Sequence, residues 1–191
     1  MSPAAAAQVD CGDVITQDTV LHSDVGPCPD GGLVIGADNI TLDLNGRRVF
    51  GTDGPGDGAG ILIDARSGVR VQNGMVSLFD AGVAVIGGSN NTVTGIRAVS
   101  NVGSGLTDFG DGIVIGDSSG NVVSGNRVVG NGPFSGIGVF GAGSSGNTID
   151  NNFLAGNDAV DVTEPHHGDP TGSQQTDGVR LEPGTSSNVV T

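Results

Sequence analysis

Two adjacent histidines, His166 and His167, lie in the segment of the sequence where titratable side chains cluster most densely. Imidazole exchanges protons near neutral pH, and a carboxylate such as Asp161 can take part in the same transfer. If the protein is an enzyme, we expect these three residues to be catalytic. The same histidines with Asp169 could instead bind copper or zinc, or they could be solvated residues of a Gly/Pro-rich loop.

Several acids could bind a cation. Ca²⁺ is coordinated by about six to eight oxygen atoms, which carboxylates and loop carbonyls can supply. The predicted metal ligands are Asp108, Asp111, Glu164 and Asp169. The alternative is that these acidic Gly/Asp segments are solvated turns, in which Asp is a favoured residue. The sequence contains no EF-hand pattern, so the Ca²⁺ prediction depends on composition alone.

Arg97 and Arg127 occupy the same position in two successive copies of a sequence repeat. In neighbouring strands their guanidinium groups would repel each other unless an anion lies between them. That anion could be a uronate or sulfate group of a ligand, or a neighbouring Asp in a surface network. We predict substrate binding by these two arginines together with Asp108, Asp111 and Asp177.

A repeat that recurs every 24 to 30 residues must position these side chains. Its clearest copies begin at Gly82, Gly112 and Gly136, and each has alternating apolar residues followed by Asn at matching places. Alternation predicts short strands, whereas Gly and Asn predict tight corners and stacked amides. One unit cannot bury its apolar face alone, so the units must stack. The sequence therefore predicts an all-β, single-stranded parallel β-helix of about 5–6 turns.

The chain divides into three predicted parts. Residues 1–9 resemble the end of a secretory signal or a linker, and residues 10–31 are expected to cap the N-terminal end with a Cys11–Cys28 disulfide. Residues 32–191 hold the repeats. Because no C-terminal cap is visible, we expect that turns are missing there or that another subunit associates end to end with the last turn.

The segments between repeat copies are predicted to emerge from one corner of the β-helix. They run over 52–59, 102–111, 132–135 and 158–177, and they contain nine of the 21 acids and no Arg. Insertions in the same phase of a repeat should line up along one side. Phe109 and Phe134 also lie in the corner segments, where they could stack against a sugar.

The repeat over 32–191 resembles the right-handed parallel β-helix proteins of the pectate-lyase-like superfamily. The opening CGDVI…VGPCPDGGLVIGADNITLDLNG is similar to the start of secreted bacterial β-helix proteins described as NosD-like. The resemblance implies a right-handed β-helix that binds or processes an extracellular acidic polysaccharide, with Ca²⁺ as a possible cofactor. We expect the polysaccharide to lie along the side that carries the acidic corner segments. An enzyme of this kind would be a polysaccharide lyase, epimerase or glycoside hydrolase. The alternative is a non-catalytic envelope scaffold or NosD-like accessory protein.

Composition limits the partners and the location. The formal net charge is −14, which disfavours nucleic acid as a partner. No apolar run approaches the length of about 18 residues that a membrane span requires. A disulfide is typical of oxidising compartments, so we predict a secreted or cell-envelope protein.

Overall fold

The computed structural model describes residues 8–52, 58–103, 110–157 and 177–191. Every regular element in these ranges is a β-strand, and no helix there could span a membrane. In chain order the strands are β1 (Val14–Ile15), β2 (Thr19–Val20), β3 (Val25–Cys28), β4 (Leu33–Ile35), β5 (Thr41–Asp43), β6 (Arg48–Gly51), β7 (Ala59–Asp64), β8 (Arg70–Ser77), β9 (Ala81–Ile86), β10 (Thr92–Val99), β11 (Asp111–Gly116), β12 (Val122–Ser124), β13 (Arg127–Val129), β14 (Ser135–Phe140), β15 (Thr148–Asp150), β16 (Phe153–Ala155), β17 (Asp177–Leu181) and β18 (Val189–Val190).

The described strands form two parallel sheets. Sheet A has the order β1-β4-β7-β9-β11-β14-β17, and sheet B combines the path β18-β15-β12-β10-β8-β5-β2 with β3, β6, β13 and β16. Each strand pairs with its counterparts one turn away, as Ile113 does with Val83 and Ile137. This is the parallel β-helix that the sequence predicts.

Apolar columns fill the interior between the two sheets. Alternate residues of each strand point inward, and their counterparts in the next turn stack directly on them. In sheet A one such column consists of Ile61, Val83, Ile113 and Ile137, and in sheet B another consists of Val76, Ala98 and Val128, all of them fully buried. Burial of these columns supplies the main driving force for stacking.

Sheet B bends at one position in each turn. Asn73, Gly95, Gly125 and Asn151 have φ values of 61°, 64°, 64° and 54° at this bend. A left-handed backbone is tolerated by Gly and Asn and is costly for most other residues. The bend separates a first half of sheet B from a second half, which contains β3, β6, β13, β16 and the C-terminal ends of β8 and β10.

Buried asparagines are stacked at the corners, as the repeat predicts. The backbone N–H of Asn91 donates to Oδ1 of Asn121, and that of Asn121 donates to Oδ1 of Asn147, each over 2.9 Å. Asn101 and Asn131 continue the same pattern at a second corner. These amides satisfy backbone groups that the turns leave unpaired, so their role is structural.

The N-terminal segment contributes the outermost described strand at one end of each sheet. β1 pairs with β4 in sheet A, and β2 pairs with β5 in sheet B. The predicted disulfide between Cys11 and Cys28 is present, with 5.4 Å between the two Cα atoms. The division of the chain at residues 9 and 31, and the role of residues 10–31 as a cap, stay predictions.

Candidate functional site

Most of the predicted chemistry falls outside the described residues. This applies to Asp108, Asp161, Glu164, His166, His167 and Asp169. The predicted catalytic and Ca²⁺ assignments of these residues therefore stay predictions. Asp177 begins β17 and pairs with Ser135, so its backbone belongs to sheet A.

Strands β7, β11 and β17 of sheet A each begin at the end of a predicted corner segment, at residues 59, 111 and 177. The described residues thus enter sheet A at matching positions in three turns. The corner segments lie mostly outside the described residues, so their emergence from one corner stays a prediction.

Asp111 begins β11, and only 6% of its surface is exposed. Its carboxyl group lies on the outer face of sheet A, because a Cβ built on Gly138 would be 2.8 Å from Asp111 Oδ1. The hydroxyl of Ser135, one strand further along, donates a hydrogen bond to the same oxygen. The sequence predicts that Asp111 binds a cation and substrate, with a solvated turn as the alternative. The structure shows that its carboxyl group is buried, so this residue does not lie in a solvated turn, and its binding role stays a prediction.

Burial raises the pKa of the Asp111 carboxyl from 3.8 to about 6. The hydrogen bond from Ser135 and the positive charge of Arg180 lower this pKa, but they offset only part of the cost of desolvation. The negative charge of Glu182 raises it further. Asp111 consequently changes its charge in a pH range where ordinary surface carboxylates stay ionised.

A small pocket adjoins this carboxyl group, and we call it the Gly138 pocket. Its volume is about 50 Å³, and its walls are Asp111, Phe134, Gly138, Val139, Phe140, Arg180 and Glu182. Arg180 Nη2 lies 3.3 Å from Glu182 Oε1, and the guanidinium carbon lies 6.0 Å from the centre of the Phe134 ring. The pocket therefore combines aromatic walls with one cationic and two acidic groups.

Next to the pocket, the outer face of sheet A is apolar. Ala81, Ala84 and Val114 form a cluster that is at most 1% exposed, and Leu62 and Ile86 pack against it. Outward-facing residues of a solvated strand would be polar instead. This face is thus a second apolar layer, separate from the interior of the β-helix.

The second half of sheet B carries a different surface, which we call the arginine face. It consists of the outward residues Arg48, Met75, Arg97, Arg127 and Phe153, which pair in register from turn to turn. Arg97 and Arg127 are exposed, and Phe153 is 53% exposed. The guanidinium carbon of Arg127 lies 4.4 Å from the centre of the Phe153 ring. The predicted juxtaposition of Arg97 and Arg127 is therefore present.

The charges on the arginine face are only partly neutralised. Arg48 Nε lies 3.7 Å from Asp24 Oδ2, an exposed ion pair. Among the described residues neither Arg97 nor Arg127 has a carboxylate within ion-pairing distance. Two like charges directly opposite each other in adjacent strands are destabilising. The surface network with Asp that the sequence left open is not formed by the described residues.

The soft donor atoms of the described residues do not fit a copper site. Both cysteines form the disulfide, and the remaining candidates are His22, which is exposed in the first turn, and Met75 on the arginine face. No group of three or more His, Cys, Asp or Glu side chains is gathered anywhere in the described ranges. Copper usually requires several imidazole, thiolate or thioether ligands.

Parallel strands stacked turn on turn, with distinct outer faces on two sheets, define a right-handed β-helix repeat protein. The family model described as "Periplasmic copper-binding protein (NosD)" matches residues 56–166, which is more than half of the chain. The chain belongs to the NosD family. Neither a curated protein nor a solved structure matches it. The periplasmic description agrees with the predicted location in the cell envelope.

The Gly138 pocket and two of its charged residues, Arg180 and Glu182, were not predicted from the sequence. A signal was nonetheless present in the repeat. Leu62, Ala84 and Val114 occupy the outward position that Gly138 occupies in the next turn. A glycine that interrupts a row of larger side chains marks a place where another group can approach the backbone closely.

Proposed function

We propose that this protein binds an acidic polysaccharide of the cell envelope and that the polymer lies on the arginine face. The observation that carries the proposal is the pair of exposed arginines, Arg97 and Arg127, stacked in register beside the exposed ring of Phe153. An anionic ligand between or across the guanidinium groups would remove the repulsion that the free protein tolerates.

The geometry suits a polymer with regularly repeated charges. Neighbouring strands are about 4.8 Å apart, so the two guanidinium groups present donors at a short, fixed interval. Each guanidinium can bind a carboxylate or sulfate through two parallel hydrogen bonds. Phe153 adds an aromatic surface against which the apolar face of a sugar ring can pack. A uronan or a sulfated polysaccharide offers both kinds of group.

The overall charge favours one orientation of such a ligand. With a net charge of −14, most of the molecule repels an anionic polymer. Three of the seven arginines lie on the arginine face, at positions 48, 97 and 127. Electrostatic complementarity would therefore direct the polymer to this face and away from the acidic corner segments.

The proposal can be tested with polygalacturonate, a uronan, and with dextran as a neutral polymer of similar size. Isothermal titration calorimetry should show binding of polygalacturonate and no binding of dextran. Replacing both arginines in the variant Arg97→Gln/Arg127→Gln should weaken binding at least tenfold, or by about 1.4 kcal/mol. High salt should weaken binding by the wild-type protein as well.

A matched control is the variant Arg47→Gln/Arg70→Gln. Both residues are exposed, and the double substitution changes the net charge by the same amount. It should bind within about twofold of wild type, a difference well under 1 kcal/mol. Equal losses in the two double variants would mean that net charge alone drives binding, which would contradict a specific arginine face.

The family description favours copper binding as a second candidate function. We infer that any such site would use His166 and His167 with Asp169, since the family match extends to residue 166 and the described residues lack a suitable ligand set. Imidazole is a good copper ligand. Titrating Cu²⁺ into wild type and the variant His166→Ala/His167→Ala measures this directly. Identical affinities in both proteins would exclude these histidines as ligands.

A further inference from the structure

The Gly138 pocket exists because one side chain is absent from the outer face of sheet A. Val114 and Arg180 pair with Gly138 on its two sides, so a larger residue would be expected there. A Cβ at this position would be 2.8 Å from Asp111 Oδ1 and 3.2 Å from Ser135 Oγ. Such contacts are too close, so the pocket requires glycine.

The described residues use only part of the hydrogen-bonding capacity of the polar groups in the pocket. The carboxyl of Asp111 accepts hydrogen bonds from the Ser135 hydroxyl and the backbone N–H of Gly110. A carboxylate has about four acceptor positions, so the described residues leave two of them to other groups. A guanidinium has five N–H donors, and Arg180 directs Nη2 to Glu182. The pocket thus offers one acceptor and one donor to a ligand.

A neutral ligand group fits this site best. Arg180 and Glu182 already form an ion pair, and both side chains are about one quarter exposed. Asp111 adds a second acidic group, but burial already disfavours its ionised form. Adding an anion or a cation to this small, largely apolar site would carry a desolvation penalty. Phe134, which is 7% exposed, and Phe140 supply walls that suit a methyl group.

Size limits the ligand further. A cavity needs a volume of about 10–15 Å³ to hold one buried water molecule. The Gly138 pocket has a volume of about 50 Å³, so it holds about four non-hydrogen atoms. A complete sugar ring is too large, but one substituent of a sugar fits. An acetamido group has four non-hydrogen atoms, one donor, one acceptor and one methyl group.

We propose that the Gly138 pocket binds the acetamido group of an N-acetylated amino sugar. The amide N–H donates to the carboxyl of Asp111, the amide oxygen accepts from Arg180, and the methyl group packs against Phe134 and Phe140. The pocket lies on sheet A, away from the arginine face, so this site stands independently of the proposed function.

The test uses N-acetylglucosamine as the probe and glucose as its counterpart without the acetamido group. Saturation-transfer NMR on the wild-type protein should show strong transfer to the acetyl methyl of N-acetylglucosamine and little to glucose. In the variant Gly138→Ala, affinity should fall at least tenfold because the new methyl group occupies the pocket. The control Gly178→Ala should bind like wild type, since the nearest described atom to a Cβ there is Leu154 Cβ, at 4.0 Å.

A second variant keeps the proposal open to refutation if Gly138→Ala fails to fold. Arg180→Met removes the donor and should reduce affinity at least fivefold. The variant Arg97→Gln/Arg127→Gln should keep full affinity for N-acetylglucosamine, which separates this site from the arginine face. Equal saturation transfer to both sugars, or wild-type affinity in folded Gly138→Ala or in Arg180→Met, would overturn the proposal.

Discussion

The outer faces of sheet A and of the second half of sheet B have the same backbone geometry and opposite character. On sheet A the outward residues Ala84 and Val114 are at most 1% exposed and pack into an apolar layer. On the arginine face Arg97 and Arg127 are exposed. The repeat fixes where side chains point, and the residue type at each outward position then decides between packing and binding.

This contrast predicts that equivalent substitutions have unequal costs. Ala84→Asp places an unpaired charge in a fully buried position, so we expect the free energy of unfolding to fall by about 3–5 kcal/mol. Arg97→Asp, at an exposed outward position, should change it by less than about 1 kcal/mol. Urea denaturation followed by circular dichroism measures both. Similar losses in the two variants would remove the distinction between the faces.

The buried carboxyl of Asp111 should give sheet A a pH-dependent stability. Because burial raises its pKa to about 6, the folded state retains a proton that the unfolded chain loses near pH 4. The contribution of Asp111 to stability is thus fully present below pH 4 and is lost as the pH rises through 6. Asp111→Asn stays neutral, so it should be more stable than wild type at pH 7.5, by at most about 3 kcal/mol.

The measurement for Asp111 is urea denaturation of both proteins at pH 4 and pH 7.5. Comparing variant and wild type at each pH removes the effect of the other acids. We expect the two stabilities to be equal at pH 4 and to differ at pH 7.5. A difference that is the same at both pH values would contradict a raised pKa.

On the arginine face the ring of Phe153 should contribute modestly. Its contact with the Arg127 guanidinium, 4.4 Å from the ring centre, is exposed, and such contacts are worth about 0.5–1 kcal/mol. Phe153→Ala should lower the free energy of unfolding by about 0.5–1 kcal/mol. Phe153→Leu keeps an apolar side chain, so it should lower the free energy of unfolding by less than Phe153→Ala does if apolar contact contributes as well. A loss above about 2 kcal/mol would mean that Phe153 belongs to the core.

The smallest expected effect concerns the stacked arginines themselves. Arg97→Gln removes the repulsion with Arg127 and should raise the free energy of unfolding by about 0.5 kcal/mol or less at low salt. The gain should vanish in 1 M NaCl, where exposed charges are screened within about 3 Å. Thermal melts at two salt concentrations test this. A destabilised variant would indicate that Arg97 has a favourable partner.

Repeated landmarks made most of the fold predictable from the sequence. Gly82, Gly112 and Gly136 align the turns, and that alignment alone places Arg97 beside Arg127. The burial of Asp111 was not predictable in the same way. It depends on the hydroxyl of Ser135 and on the missing side chain of Gly138, both one strand away. Such contacts between turns leave no periodic pattern within a single repeat copy.

The proposed polysaccharide-binding surface is tested most directly by chemical footprinting of the seven arginines. Phenylglyoxal labels accessible guanidinium groups, and mass spectrometry reports the extent of labelling at each arginine. With polygalacturonate bound, we predict that Arg97 and Arg127 become protected while Arg47 and Arg70, which are exposed in the free protein, remain reactive. Protection of all four arginines to the same extent, or of none, would contradict a binding site on the arginine face.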